Sequence, residues 1–123
     1  MSSRFAVGTD IVEVDRIKAL SDKHGQRFFK HVFTQQEVDW CNQRRLPQVH
    51  LAGRFAAKEA IKKALMASGE ERVIPMNSIE ILRDENQPPE VVIHCDLSHS
   101  YRIQISISHT DTLATAVAIA EIL

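Results

Sequence analysis

Alanine recurs at two different periods in this chain, and that pairing constrains the fold more than any other feature. In LAGRFAAKEAIKKAL, residues 51–65, it stands at Ala52, Ala56, Ala60 and Ala64, roughly once per helical turn. In the C-terminal TLATAVAIAEIL it stands at Ala114, Ala116, Ala118 and Ala120, the period of a strand. Small side chains let two backbones approach closely, so the stripes are expected to dock a helix onto a sheet. The same helix carries a basic row, Arg54, Lys58 and Lys62, between the apolar Leu51, Phe55, Ile61 and Leu65. Its one carboxylate in this stretch, Glu59, lies on a helical wheel between Phe55 and the alanine stripe, one turn before Lys63. A charge bordering the buried face needs a partner, because burying it alone is very costly; the candidates are Lys63 and a metal ion.

The rest of the chain reads as short helices followed by strands. RFAVGTDIVEV alternates, with Phe5, Val7, Thr9 and Ile11 on one side and Ala6, Gly8 and Asp10 on the other, so Asp10 projects from the side with the smaller neighbours. A helix is expected from about Glu13–Asp15 to the stop at Gly25, then a short helical piece, QRFFKHVF. TQQEVDWCNQRR opens with Thr34 and has Glu37 three residues on, a capping box, and Pro47 is expected to end this helix. The alanine helix runs from Val49 to about Ala67. SIEILRDENQPPEVVIH reads as two strands joined by a polar, proline-containing turn, and RIQISISHTDTLATAVAIAEIL as two more, turning around His109 to Thr112. The predicted class is α+β, an antiparallel sheet with helices packed on it.

Composition narrows the functions. At 123 residues the chain suits one domain, 1–123. A net charge of −1 argues against general nucleic-acid binding, and no apolar run approaches the roughly 20 residues of a membrane helix. MSSRFAVGTD lacks the apolar stretch of a secretory signal, so a cytoplasmic location is expected. Cys41 and Cys95 lack Cys-x-x-Cys spacing and read as reduced structural thiols. The charge is nonetheless uneven: Arg16, Lys18, Lys23, Arg27 and Lys30 face one acid, Asp22, over residues 16–31. That stretch is either a solvated helix face or a surface for an acidic partner.

Two groups of residues could carry chemistry. Asp10 and Glu59 are acids beside small residues on regular elements, and two carboxylates with substrate phosphate oxygens and water suit magnesium; the same pair could equally form surface salt bridges. SISHT, Ser106 to Thr110, puts hydroxyls and an imidazole at a strand end, either as donors for a phosphate or as a turn with ordinary hydroxyl back-bonding. The remaining histidines, His24, His31, His50, His94 and His99, lack metal-ligand spacing and receive no role.

Taken together, VGTDIVEVDRI, LAGRFAAKEAIKKAL and SISHT, in this order and spacing, closely resemble the holo-(acyl-carrier-protein) synthase family, the short 4′-phosphopantetheinyl transferases. The resemblance extends over essentially the whole chain. It implies magnesium-dependent transfer of 4′-phosphopantetheine from coenzyme A to a serine of apo acyl carrier protein, releasing adenosine 3′,5′-bisphosphate. It places the metal on Asp10 and Glu59 and the pyrophosphate near Lys63, with Asp10, Glu59 and Lys63 as the catalytic group. Arg54, Ser108, His109 and Thr110 match contacts to coenzyme A, including its 3′-phosphate. Arg16, Lys23 and Arg27 match the helix that docks the acidic carrier, with Arg16 inside the matched DRI segment. It further implies a homotrimer in fatty acid biosynthesis, with active sites shared between subunits, and neither nucleic acid nor membrane as partner.

The chain departs from the family pattern at two places. LMASGEE follows the central helix where many members have FGTG, and NQPPE replaces Gly-Lys-Pro in the middle hairpin. The first change bears on backbone contacts to coenzyme A around residues 66–70. It is also the basis of the alternative reading, a coenzyme A-binding module of the same fold with altered catalysis; a third is a structural oligomerisation domain.

Overall fold

A computed structural model describes residues 4–83 and 86–123. The elements run β1 (Phe5–Glu13), α1 (Val14–His24), α2 (Gln26–Val32), α3 (Gln35–Asn42), α4 (Pro47–Ala67), a 3-10 turn (Met76–Ser78), β2 (Ile79–Leu82), β3 (Glu90–Ile93), β4 (Tyr101–His109) and β5 (Leu113–Ile122). Among the described residues there are two antiparallel sheets, β1-β5-β4 and the hairpin β2-β3. The middle hairpin's turn includes Asp84 and Glu85, and the N-terminal stretch includes Met1 to Ser3, all of which lie outside the described residues.

The alanine stripes do meet. Helix α4 packs across β1, β5 and β4. Ala56, Ala60 and Ala64 are buried on the helix, as are Ala114, Ala116, Ala118 and Ala120 on β5. Because β5 is central, its register carries this face onto β1: Asp10 pairs with Ala116 and Val12 with Ala114. The approach is closest at Gly8, where a Cβ would stand 2.0 Å from the Ala60 carbonyl oxygen and 2.7 Å from the Ala64 nitrogen. Larger side chains complete the core around α4, among them Ile17, Ile61, Leu65, Ile79 and Ile81. Each such burial is worth about 1.5–3 kcal/mol.

The other side of β1 is uncovered. Val7 and Ile11 are 58% and 62% exposed, and Leu113 and Ile119 of β5 add to the same apolar surface. On β5 alternation thus puts the alanines against the helix and larger residues outward, whereas β4 turns Ile103, Ile105 and Ile107 towards the core.

One expectation requires correction. Pro47 does not end the preceding helix; α3 stops at Asn42, and Pro47 is the first residue of α4, where its missing N–H would have no helical partner anyway. The basic row of α4 is largely internal: Arg54 and Lys58 are buried, and Lys62 is half-exposed. Lys58 donates to Glu37 Oε1 at 2.6 Å, to the Val32 carbonyl at 2.6 Å and to the Met76 carbonyl at 3.2 Å. Burial lowers the Lys58 pKa and the Glu37 carboxylate pulls it back up. Glu37 also accepts from the Thr34 and Ile81 backbone N–H groups, so the capping box of α3 joins the same network. One ammonium therefore fixes α2, α3, β2 and the 3-10 turn around α4.

Candidate functional site

Asp10 and Lys63 are brought together by the close docking of β1 on α4. Asp10 lies two residues beyond Gly8 on the strand face turned to the helix, and Lys63 stands beside the Ala60–Ala64 stretch that Gly8 touches. The Lys63 ammonium donates to Asp10 Oδ1 at 3.1 Å and to the Thr9 carbonyl at 3.0 Å. The pair is open to water, with side chains 54% and 17% exposed. A cavity of about 480 Å³ begins here, lined by Thr9, Asp10, Lys63, Ser106, Ser108 and Thr115 among others.

Glu59 is half-buried on α4, one turn before Lys63. Of the two partners the sequence offers it, Lys63 goes to Asp10 instead, and Glu59 makes no hydrogen bond or ion pair among the described residues. Its acceptor capacity is therefore unspent. The donor set suits a hard cation: the Lys63 ammonium stands where the Asp10 carboxylate and the Thr9 carbonyl oxygen converge, and a second carboxylate, Glu59, lies on the adjoining helix, outside the residues that line this cavity. No group of three or more His, Cys, Asp or Glu converges among the described residues. Magnesium needs no such cage, since it is commonly held by one or two carboxylates plus substrate phosphates and water.

A second cavity, of about 580 Å³, opens beyond the end of β4 and is cationic. Arg44, His50, Arg54, Arg83 and His109 line it with Trp40, and no described carboxylate does. Arg54 is only 3% exposed, and its Nε has no hydrogen-bond partner among the described residues. Burial lowers the Arg54 pKa, a shift that the Cys41 and Glu37 acids oppose. His50 is pushed down too, first by burial and then by His109, Arg54, Arg44 and Arg83.

The SISHT segment divides between the two cavities. Ser108 lines both, Ser106 the first and His109 the second. Thr110 borders neither; its Oγ1 accepts from the Thr112 and Leu113 backbone N–H groups at 3.2 and 3.1 Å, the turn role that hydroxyls commonly take. Sequence reasoning missed Trp40, Arg44, His50 and Arg83. Three of these had a signal, since Trp40–Arg44 and His50–Arg54 are each spaced four residues apart in sequence stretches read as helical. His50, given no role above, sits edge-on between Trp40 and His109, with ring centroids 5.4 and 5.6 Å away.

The basic stretch is exposed along α1 and α2: Arg16, Lys18, Lys23, Arg27 and Lys30 all face water. The Arg16 guanidinium lies over Phe55 of α4, 5.7 Å from the ring centroid. Arg27 borders a shallow groove with His24, Phe28 and His31. The loop after α4, where LMASGEE departs from the family pattern, is tied down by Glu70, which accepts from Ser98 and Tyr101. Both thiols are free, and burial pushes the Cys41 thiol up to about 11, consistent with an inert structural role.

Comparison with known proteins gives the same direction. The sequence pattern described as the 4′-phosphopantetheinyl transferase superfamily matches residues 6–119. The holo-[acyl-carrier-protein] synthase of Protochlamydia amoebophila is 47% identical over 118 residues, 94% of this chain and 96% of the relative. That of Chlorobaculum parvum is 45% identical over 115 residues, 94% and 97% of the two chains. Among solved structures, an ACPS-CoA complex from Chronobacterium ammoniagenes superposes with a TM-score of 0.85 at 25% identity, covering 98% of this chain and 99% of the other. The holo-[acyl-carrier-protein] synthase of Neisseria meningitidis gives a TM-score of 0.78 at 31% identity, covering 94% and 97%.

Proposed function

The chain belongs to the 4′-phosphopantetheinyl transferase superfamily, and we infer from that premise that it moves the 4′-phosphopantetheine arm of coenzyme A onto a serine of apo acyl carrier protein, as a holo-acyl-carrier-protein synthase. The serine Oγ attacks the β-phosphorus of the coenzyme. A new P–O bond forms, the bond to adenosine 3′,5′-bisphosphate breaks, and the serine proton passes to a base. The observation that carries the reading is the Lys63 ammonium held against Asp10 Oδ1 and the Thr9 carbonyl at the mouth of a cavity, with Glu59, one turn away, unpaired among the described residues. Lys63 is positioned to meet charge developing on the leaving phosphate, and a donor of that kind contributes about 2–4 kcal/mol of transition-state stabilisation. Glu59 has acceptor capacity for the serine proton, directly or through a water. Asp10 and Glu59 would hold magnesium, which when bound neutralises pyrophosphate charge.

In this reading the cationic cavity takes the 3′-phosphate, through Arg54 and His109. Arg16, Lys23 and Arg27 receive the acidic carrier, where complementary charge speeds encounter and selects partners. The outward apolar face of Val7, Ile11, Leu113 and Ile119 supports a homotrimer. In such an assembly the Asp10–Glu59 side of one subunit and the SISHT end of another would complete one site. Two free thiols support work in the cytoplasm, within fatty acid biosynthesis.

The decisive experiment incubates the protein with coenzyme A, magnesium and apo acyl carrier protein and weighs the carrier. The expected result is a gain of one phosphopantetheine arm, abolished by chelation and by Asp10→Ala while the circular dichroism stays native. Coenzyme A binding without mass gain across several carriers would instead favour the altered binding module, and full activity of Asp10→Ala would remove Asp10 from the site. Sedimentation of the active protein as a monomer would sink the shared-site arrangement.

A further inference from the structure

Two histidines without metal-ligand spacing meet on the basic surface of α1 and α2. His24 stands in the last turn of α1 and His31 in the last turn of α2. With Arg27 and Phe28 they line one groove of about 370 Å³, and no described acid lines it. Phe28 forms the floor: it is buried and packed against Phe29 and Phe33, with ring centroids 5.7 and 5.8 Å away. His24, Arg27 and His31 form an exposed rim, and none of the three has a hydrogen bond, ion pair or ring contact among the described residues. A fixed aromatic floor inside a polar, cationic rim is the layout of a protein-docking site, apolar at its centre and charged around it.

The surroundings do not offset the rim. Beside the two histidines their own helices carry Asp22, Lys23 and Lys30, which are cationic in sum. The 3-10 turn packed on α2 brings Met76, Asn77 and Ser78, none of which titrates. Strand β1 and helix α4 pack on α1, and their charged side chains, among them Glu13, Glu59 and Lys62, do not line the groove. Nothing in the groove therefore answers its positive charge, and its complement is an acidic surface that also offers an apolar side chain to Phe28.

We propose that His24 and His31 are recognition residues for the acidic carrier, whose docking they tighten as the pH falls by gaining charge themselves. This rests on the reading given above, in which α1 and α2 receive the carrier. Arg27 supplies its charge at every working pH, whereas imidazoles change charge between about pH 8 and about pH 5. Each protonated ring adds a cation opposite the carrier's acids, which speeds encounter and strengthens docking. By linkage the docked carrier favours the protonated rings in equal measure. Neither ring lines the cavities assigned to coenzyme A, so the effect falls on KM for the carrier and leaves kcat alone.

The test measures the carrier-modification assay from about pH 8 to about pH 6 in three proteins: wild type, the double variant His24→Gln with His31→Gln, and the double variant His24→Lys with His31→Lys. Both positions are exposed, so native circular dichroism is expected of each variant. Dividing each variant's carrier KM by that of wild type at the same pH removes the titration of every other group. For the glutamine variant this ratio should be near one at the alkaline end and rise to about tenfold at the acid end. For the lysine variant it should be about one-tenth at the alkaline end and approach one at the acid end. In both variants kcat and the KM for coenzyme A should stay within about twofold of wild type. A glutamine-to-wild-type ratio that stays flat across the window would overturn the proposal, as would a lysine variant no better than wild type at the alkaline end. A rise matched in the KM for coenzyme A would overturn it too, since the histidines would then act on the fold instead of the carrier. If wild type transfers no arm to any carrier, the functional reading fails and takes the proposal with it; if wild type is active and the ratio is flat, the proposal fails alone.

Discussion

Two lysines of helix α4 are each paired with an acid far away in sequence, and the pairs behave as opposites. Lys58 and Glu37 meet at 2.6 Å with both side chains fully buried. The ammonium makes three bonds, and Glu37 accepts from two backbone N–H groups besides. Lys63 and Asp10 meet at 3.1 Å in the open. The first pair is closed to ligands because its bonding capacity is spent inside the chain. The second retains capacity and access, and its near neighbour Glu59 has no partner among the described residues. Similar side chains a turn or so apart thus serve the fold in one case and the chemistry in the other, and completeness of bonding separates them.

Breaking each pair should expose the difference. Lys58→Met leaves Glu37 buried without its cation and is expected to cost about 3–5 kcal/mol, read from urea unfolding, because removing one partner strands the other charge. Lys63→Met should cost less than about 1 kcal/mol, the usual worth of an exposed pair. It should nonetheless lower kcat by roughly 10²–10³-fold if its ammonium meets developing charge. Equal stability losses for the two variants would erase the distinction.

A variant of intermediate effect tests whether the open pair depends on the close docking beneath it. Gly8→Ala places a methyl group against the Ala60 carbonyl and the Ala64 nitrogen, both backbone atoms that cannot step aside. Forcing the strand from the helix should cost about 1–3 kcal/mol. It should also separate Asp10 from Lys63, so activity should fall further than the stability loss explains. A Gly8→Ala protein with native activity would show that the site tolerates a looser interface.

The contrast between the pairs also explains what could be read from sequence. The alanine stripes, the capping box at Thr34 and Glu37, and the tail strands are local patterns, and each appears as expected because period and cap chemistry are decided within a few residues. The burial of Lys58 has no local signal, since a lysine between apolar residues ordinarily reaches water. Its partner lies 21 residues back, and only the tertiary fold reveals the pairing. Asp10 and Glu59 were legible as candidates from their small neighbours and from family resemblance, but the Lys63–Asp10 bond spans 53 residues and could not be. Trp40 and His50 went unassigned for a related reason: each looks like an ordinary helical residue until α3, α4 and the end of β4 converge.

Glu70 falls between the closed and open pairs and offers the smallest and most graded test. It is buried by neighbouring atoms in the loop after α4, yet its bonds come from hydrogen-bond donors, with no cation among them: Ser98 Oγ at 2.6 Å, Ser98 N at 2.7 Å, Arg72 N at 3.1 Å and Tyr101 Oη at 3.2 Å. The Ser98 hydroxyl bond is the foremost cause holding its carboxyl at about 2 instead of the ordinary 4.5, against a burial effect that raises it. A carboxyl lowered on folding stabilises the native state fully above its unfolded value and loses that contribution as the pH falls from 4.5 towards 2. Glu70→Gln should therefore be less stable than wild type near pH 6, and the gap should narrow steadily across that acid window, measured by urea midpoints at successive pH values. A gap that stays constant down to pH 2 would mean that Glu70 gains nothing from ionisation, and that its bonds anchor the loop as an uncharged acceptor would.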